Sequence, residues 1–392
     1  DSKLTGGVVS CVVVIANRPL AANVLTVEFL LSSTLDTLPL PITQYQKANF
    51  FLRNSAGDLG KLGASYELPL TVSVVEGSYD IVYRHVQGDL LPINTDAVVM
   101  ATVTIDSGSS AQDVALTSAV ITPSFTLDGG AFPVSEYNDA NFFLRDSTNN
   151  NDVMLLGSSH FALPDPVRII SSPMVGNYDV LYRHETGEGV PQNSNAVVSG
   201  KSDLALNADM VLAVNVSSVS VSGLFTLNGN NFPGDASDSV QFLLRDSSND
   251  SDEFLFGYSD ISNEAVKLIP GTYDVVMNHL DGDAVPQNEM HEVGFGISLN
   301  NMTPTLNVNV PAVRVDPSFT LDGQSFPASI YQSATFYLRE RHSPKNRIFL
   351  GESYKNNGPV MVIKEDYDVI YEHLFGEQTP QNTNKFLEVI DL

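Results

Sequence analysis

The stretch GNYDVLYRHETGEGVPQN, residues 176–193, is written into this chain four times. It recurs as GSYDIVYRHVQGDLLPIN at 77–94, as GTYDVVMNHLDGDAVPQN at 271–288 and, less closely, as EDYDVIYEHLFGEQTPQN at 365–382. A second phrase precedes it: FTLDGGAFP at 125–133 and NFFLRD at 141–146, with counterparts that begin at Ser33, Phe225 and Phe319. The arginine of this phrase sits at 53, 145, 245 and 339, so the copies are offset by 92, 100 and 94 residues. A near-constant period of this size marks a tandem array of four units. We place them at 28–119, 120–219, 220–313 and 314–392, after a segment at 1–27.

Each unit reads as strands and turns. Side chains alternate along a strand, which puts Tyr178, Val180, Tyr182 and His184 on one face and Asp179, Leu181 and Arg183 on the other. Thr186-Gly187 and Asp281-Gly282 read as tight turns ending that strand, and Leu127-Asp128-Gly129 and Leu321-Asp322-Gly323 as another. Long helical periods are missing, and turn residues punctuate the chain about every eight to twelve positions, the spacing of an all-β sandwich.

Composition narrows the function. With 46 acidic and 20 basic residues, the net charge of −26 argues against nucleic acid or an anionic membrane surface as partner. Apolar residues at 43% suffice for four modest cores. The single cysteine, Cys11, leaves no disulfide within the chain. The longest apolar run, Val8 to Ala16, is too short to span a bilayer. The chain opens on Asp1, as a mature chain would after removal of a leader, or a trimmed one. An exported protein, extracellular or on the cell surface, is the expectation.

Pro270-Gly271-Thr272-Tyr273-Asp274-Val275-Val276 resembles the Pro-Gly-Thr-Tyr strand opening of carboxypeptidase-regulatory-like domains. The turn Leu227-Asn228-Gly229 before Phe232-Pro233 is similar to that family's early turn, and Phe242, Leu243 and Leu244 to its next strand. Glu76, Val175 and Lys364 hold the proline's place in the other units. The resemblance implies a seven-strand, transthyretin-like or immunoglobulin-like sandwich, tandem in bacterial surface or secreted proteins, and no catalytic residues.

Several repeated residues are candidates for chemistry. His85, His184, His279 and His373, each near an acid, suggest zinc on one reading and a ring bonded to the turn beyond it on the other. Arg53 with Asp80, Arg145 with Asp179, Arg245 with Asp274 and Arg339 with Asp368 suggest a charge pair between strands, and Tyr79, Tyr178, Tyr273 and Tyr367 a repeated structural tyrosine. The loops holding Asp146 and Asp152, and Asp246, Asp250 and Asp252, offer oxygen ligands for calcium but lack the glycine of a dedicated calcium loop. Templates for serine, zinc and phosphate-loop enzymes are missing. Tryptophan is absent too, which weighs against a flat platform for sugars.

The two ends mismatch in a complementary way. Aligning Asn382 with Asn94 places Leu392 opposite Thr104, so nothing answers to the last strand around Val114, and the fourth unit reads as one strand short, an acceptor repeat with Phe386, Leu387, Val389 and Ile390 as its acceptor residues. Val8, Val9, Cys11, Val12, Val13, Val14 and Ile15 overlay residues 98–105, and Val24 and Leu25 fall near Val114. The chain therefore begins with the tail of a unit and ends with the body of one. The expectation is a structural subunit of an extracellular filament, a homopolymer in which the N-terminal strand completes the fourth unit of a neighbour, as in donor-strand complementation. Two other readings of the ends stay open: a cap on the first unit, or a stretch of a longer array. The rival function is a secreted or surface-displayed array binding a glycan or protein for adhesion through the turns after His184 and its equivalents.

Overall fold

The computed structural model describes residues 26–392 except 109–110, 134, 162–163, 172–176 and 343–345. The donor segment, with Val8, Cys11, Ile15, Val24 and Leu25, lies outside the described residues. The fold is all-β, and among the described residues the one helical element is a single turn, Ser65–Glu67. The chain forms two compact units: one holds residues up to Leu91 together with Ala97–Thr117, the other Pro92–Asp96 and Ser118–Leu392.

Repeat 3, in the second unit, shows the plan. Strand Ser239–Asp246 pairs antiparallel with Asn249–Tyr258 on one side and Gly271–Asp281 on the other, and His291–Leu299 closes this four-stranded sheet. The facing sheet centres on the first strand, Val219–Leu227, antiparallel to Val266–Leu268 and parallel to the last strand, Thr305–Val310. Repeat 2 has the same two sheets, with Met210–Val216 parallel to Ser118–Leu127. In the first unit, Ala111–Leu116 runs parallel to Thr26–Leu35.

Why the phrase FTLDG…FP…NFFLRD recurs is visible in the cores. Phe225 stacks on Phe242 at 3.9 Å between ring centroids, and Phe232 meets Phe242 edge-on at 5.8 Å. Phe125, Phe132 and Phe142 repeat this arrangement, as do Phe319, Phe326 and Phe336. Each such pair contributes about 0.5–1.5 kcal/mol beyond the area it buries. Between the first two phenylalanines the chain reverses through two residues of positive φ, Asp128 at 52° and Gly129 at 78°, the geometry of a two-residue hairpin turn. The first unit makes that turn with Asp36 and Thr37, at 51° and 68°.

Repeat 4 departs from the plan at one place. Its first strand is broken into Ala312–Val315 and Thr320–Leu321, and among the described residues no strand runs parallel to it. In the other repeats the corresponding strand is continuous for nine or ten residues. In repeat 3 residues 222–225 have their ladder partner in Thr305–Val310 and, among the described residues, in no other strand, and a stretch without a ladder partner has nothing to hold it extended. The interruption coincides with the missing partner: Ser222–Leu227, which Thr305–Val310 covers in repeat 3, corresponds to residues 316–321.

Candidate functional site

The asparagine that closes the first three copies of the longer repeat, at 94, 193 and 288, is the centre of a joint. Asn193 is fully buried, and its Nδ2 donates to Asp252 Oδ2 at 2.7 Å and to Tyr273 Oη at 2.9 Å. Its Oδ1 accepts the Ile269 amide at 2.8 Å, and Tyr273 Oη donates to the Ile269 carbonyl at 2.6 Å. Asp252 Oδ1 receives the amides of Ser194 and Asn195. Just before the asparagine, the Gln192 amide donates to the Lys267 carbonyl at 2.8 Å. An asparagine loop from repeat 2 thus enters a socket in repeat 3 in which every polar atom of the asparagine side chain is satisfied, the condition for burying it.

An asparagine bonded to a carboxylate, a tyrosine hydroxyl and a backbone amide recurs twice more in the second unit. Asn94 bonds Asp152, Tyr178 and the Ile170 amide at 2.7, 3.1 and 2.7 Å. Asn288 bonds Glu340, Tyr367 and the Ile363 amide at 2.7, 2.8 and 2.8 Å. Burial pushes the Asp152 and Asp252 carboxyls above the ordinary carboxylate range, against the pull of Asn94 and Asn193. Burial likewise holds the Tyr178, Tyr273 and Tyr367 hydroxyls well above the usual tyrosine range, so they stay protonated donors.

The repeated histidines and the second tyrosine of the phrase shape the loop. Nε2 of His85, His184 and His279 lies 2.9 Å from the carbonyl of the glycine three residues on, and His373 Nδ1 lies 3.1 Å from Thr379 Oγ1. The amides of His184, His279 and His373 donate to the carbonyls of Asn193, Asn288 and Asn382. Tyr182 and Tyr371 donate their hydroxyls to the carbonyls of Pro191 and Pro380.

The other repeated residues are placed as follows. Arg145 meets Asp179 at 2.7 Å and Arg339 meets Asp368 at 2.6 Å, while Arg53 stands 3.8 Å from Asp80. In repeat 3, Arg245 pairs with Glu253 and Glu292, and Asp274 accepts Ser247 Oγ and the Gly296 amide. Asp146 and Asp246 cap the turns at Thr148 and Ser248, and Asp250 is exposed. Phe386, Leu387, Val389 and Ile390 lie on the edge strand Lys385–Asp391, in the sheet opposite the broken first strand.

One group was not read from the sequence. Among the described residues, His291, Glu340 and Glu365 alone bring three ligand atoms of metal-binding type within 4.8 Å of one another. They face a cavity of about 600 Å³ also lined by Arg245 and Glu292. Nitrogen and oxygen donors so placed suit a divalent cation such as zinc. Burial alone would depress the His291 imidazolium, but its hydrogen bond to Glu340 and the charges of Glu340 and Glu365 hold it above the ordinary histidine range. His291 occupies the place of Ala196, so nothing in the repeat pattern pointed to it.

No family model and no curated protein matches this chain, so the likeness to carboxypeptidase-regulatory-like domains stays a likeness. Solved structures superpose loosely. The TIE protein of Bacillus anthracis covers 73% of this chain at 10% identity and a TM-score of 0.19, and the chain spans half of its length. Two B repeats of the collagen-binding protein of Staphylococcus aureus cover 90% of this chain at 10% identity and a TM-score of 0.18, with 94% of their own length matched. The pilus adhesin SpaC of Lactobacillus rhamnosus GG covers 73% of this chain at 10% identity and a TM-score of 0.18, with 42% of its length matched. Similarity of this size carries no argument about function. No helix of the described residues is long and apolar enough to cross a membrane.

Proposed function

We propose that the chain is a structural subunit of an extracellular fibre or surface appendage, built head to tail by a strand that one copy lends to repeat 4 of the next. The observation that carries this reading is the broken first strand of repeat 4. Residues 316–321 offer backbone groups along the edge where repeats 1, 2 and 3 each hold a parallel last strand. Phe319 and Leu321, packed on the repeat 4 core, are only partly buried there. A strand added along this edge would pair the open backbone and cover both side chains. The segment proposed as donor is residues 8–15 with Val24 and Leu25. Negative-stain electron microscopy of the chain, with and without residues 1–20, tests this. Filaments only in the longer form support it, and identical single particles in both overturn it.

A second reading, a glycan- or protein-binding array, is favoured by one observation. Tyr45, Tyr137 and Tyr331 hold the same position in three repeats and are 72%, 73% and 78% exposed. The Tyr137 and Tyr331 backbones adjoin the turns at Gly187 and Gly376 that follow the repeated histidines. Exposed tyrosines beside a repeated turn supply the stacking surface that the absence of tryptophan would otherwise deny. Saturable binding on a glycan array, lost in Tyr137→Ala combined with Tyr331→Ala, would favour it.

A further inference from the structure

Three copies of one joint define what the socket recognises. The loop supplies a backbone amide and a buried asparagine and, where the carboxylate is an aspartate, the two amides after it. The socket supplies a carbonyl, an amide, a tyrosine hydroxyl and a carboxylate. Each partner exists once more, in a place where, among the described residues, the other is not seated.

The socket is in the first unit. Asp58 stands where Asp252 stands, Ser73 where Lys267 does, Val75 where Ile269 does and Tyr79 where Tyr273 does. All four line a cavity of about 320 Å³. Tyr79 Oη already donates to the Val75 carbonyl at 3.0 Å, the bond Tyr273 makes to Ile269. Val75 is exposed, whereas Ile269 is buried under Asn193. Asp58 is exposed as well, and its Oδ2 accepts Asn54 Nδ2 at 3.1 Å.

The loop is Pro380-Gln381-Asn382-Thr383-Asn384 in the second unit, and all five residues are exposed. It is shaped in advance, because His373 donates its amide to the Asn382 carbonyl and Tyr371 its hydroxyl to the Pro380 carbonyl. Its sequence also says which kind of socket it suits. Thr95 and Ser194, the residues after Asn94 and Asn193, turn their hydroxyls onto Asp152 and Asp252. The loop that meets Glu340 has Glu289 there instead. Thr383 keeps the hydroxyl, so this loop is of the kind that meets an aspartate, and Asp58 is an aspartate.

We propose that residues 380–384 of one copy seat in the Asp58–Tyr79 socket of a second copy of this chain. Asn382 would bridge the Asp58 carboxylate, the Tyr79 hydroxyl and the Val75 amide, and the Gln381 amide would meet the Ser73 carbonyl. The contact is heterologous, so it extends from copy to copy instead of closing on a pair. It deepens the head-to-tail reading above but uses no part of the lent strand.

Sedimentation equilibrium of the whole chain tests it. The expected result is a mass that rises with concentration, with Asn382→Ala and, separately, Asp58→Ala each weakening the association at least about tenfold. Both residues are exposed, so neither change endangers folding. Mixing the two variants should restore pairs and nothing longer, because each keeps one sound partner. A single species of monomer mass at every concentration overturns the proposal, and so does association indifferent to Asn382→Ala. Association lost on removing residues 1–20 but untouched by Asn382→Ala leaves strand donation standing and this contact refuted. The converse result does the opposite.

Discussion

Asn193 and Asp252 stand 59 positions apart in sequence and 2.7 Å apart in space, amide nitrogen to carboxylate oxygen, and neither is exposed. The pair ties the end of one sandwich to a hairpin of the next. Its strength comes from geometry. Buried polar groups cost several times more when left unmatched than they contribute when matched, and here each is matched.

Replacing Asn193 by alanine takes the asparagine from Asp252 Oδ2 and from the Ile269 amide at once. We expect the second unit to lose about 2–4 kcal/mol. Chemical denaturation gives the loss, and hydrogen exchange at the Ile269 amide, now unprotected, gives its location. Exchange at Ile269 unchanged from the parent would contradict the assignment.

The joint around Glu340 should respond to pH. His291 lies 3.3 Å from Glu340 and 3.7 Å from Glu365, and Glu292 adds to the field that raises its pKa above the ordinary value. A histidine whose folded value exceeds the unfolded one, about 6.5, gives its full stabilisation below that pH and loses it as pH rises through the folded value. Glu365, also raised, acts with the same sign at lower pH. Stability should therefore fall from about pH 6.5 upward, and His291→Gln should flatten this slope in denaturation midpoints measured across pH.

Thr37 holds φ at 68° in the hairpin where the other repeats place glycine. A β-branched residue is strained there, so Thr37→Gly should stabilise the first unit by about 1 kcal/mol despite the entropy that glycine adds to the unfolded chain. Thermal melting of the two forms decides the sign.

Calcium removal should leave the array unchanged. The oxygens of Asp152 and Asp252 are already taken by Asn94 and Asn193 and by the amides after them. Melting in chelator and in excess calcium should coincide, and a shift of several degrees would restore these loops as ligands.

The all-β array was legible because its cause, a hydrophobic pattern with turn residues at fixed offsets, is local and repeated. The expected arginine–aspartate pair joins neighbouring strands at Arg145 and Asp179, but in repeat 3 two nearer acids, Glu253 and Glu292, draw Arg245 away from Asp274. The joint was not legible. Asn193 stood at the end of the quoted phrase, invariant through four copies while the loop before it varied, and that invariance was the available signal. Its meaning depends on Asp252, in the next copy, and comparing copies position by position hides what passes between them. Repeat 4 hides it further: Asn346 has the place of Asp252, and Glu340, at the place of Asp246, reaches in with the longer arm.

Because each socket is matched to the loop before it, the order of these repeats is constrained. Duplicating repeat 2 in place would leave sound seams, since its own socket carries Asp152 and its closing loop meets Asp252. Moving repeat 4 to follow repeat 2 would set Ser194 against a socket whose carboxylate comes from Glu340 and whose neighbour His291 stayed behind. Gene rearrangement can lengthen such a chain readily at some seams and hardly at others, so the sandwiches behave less like interchangeable beads than like words under a grammar.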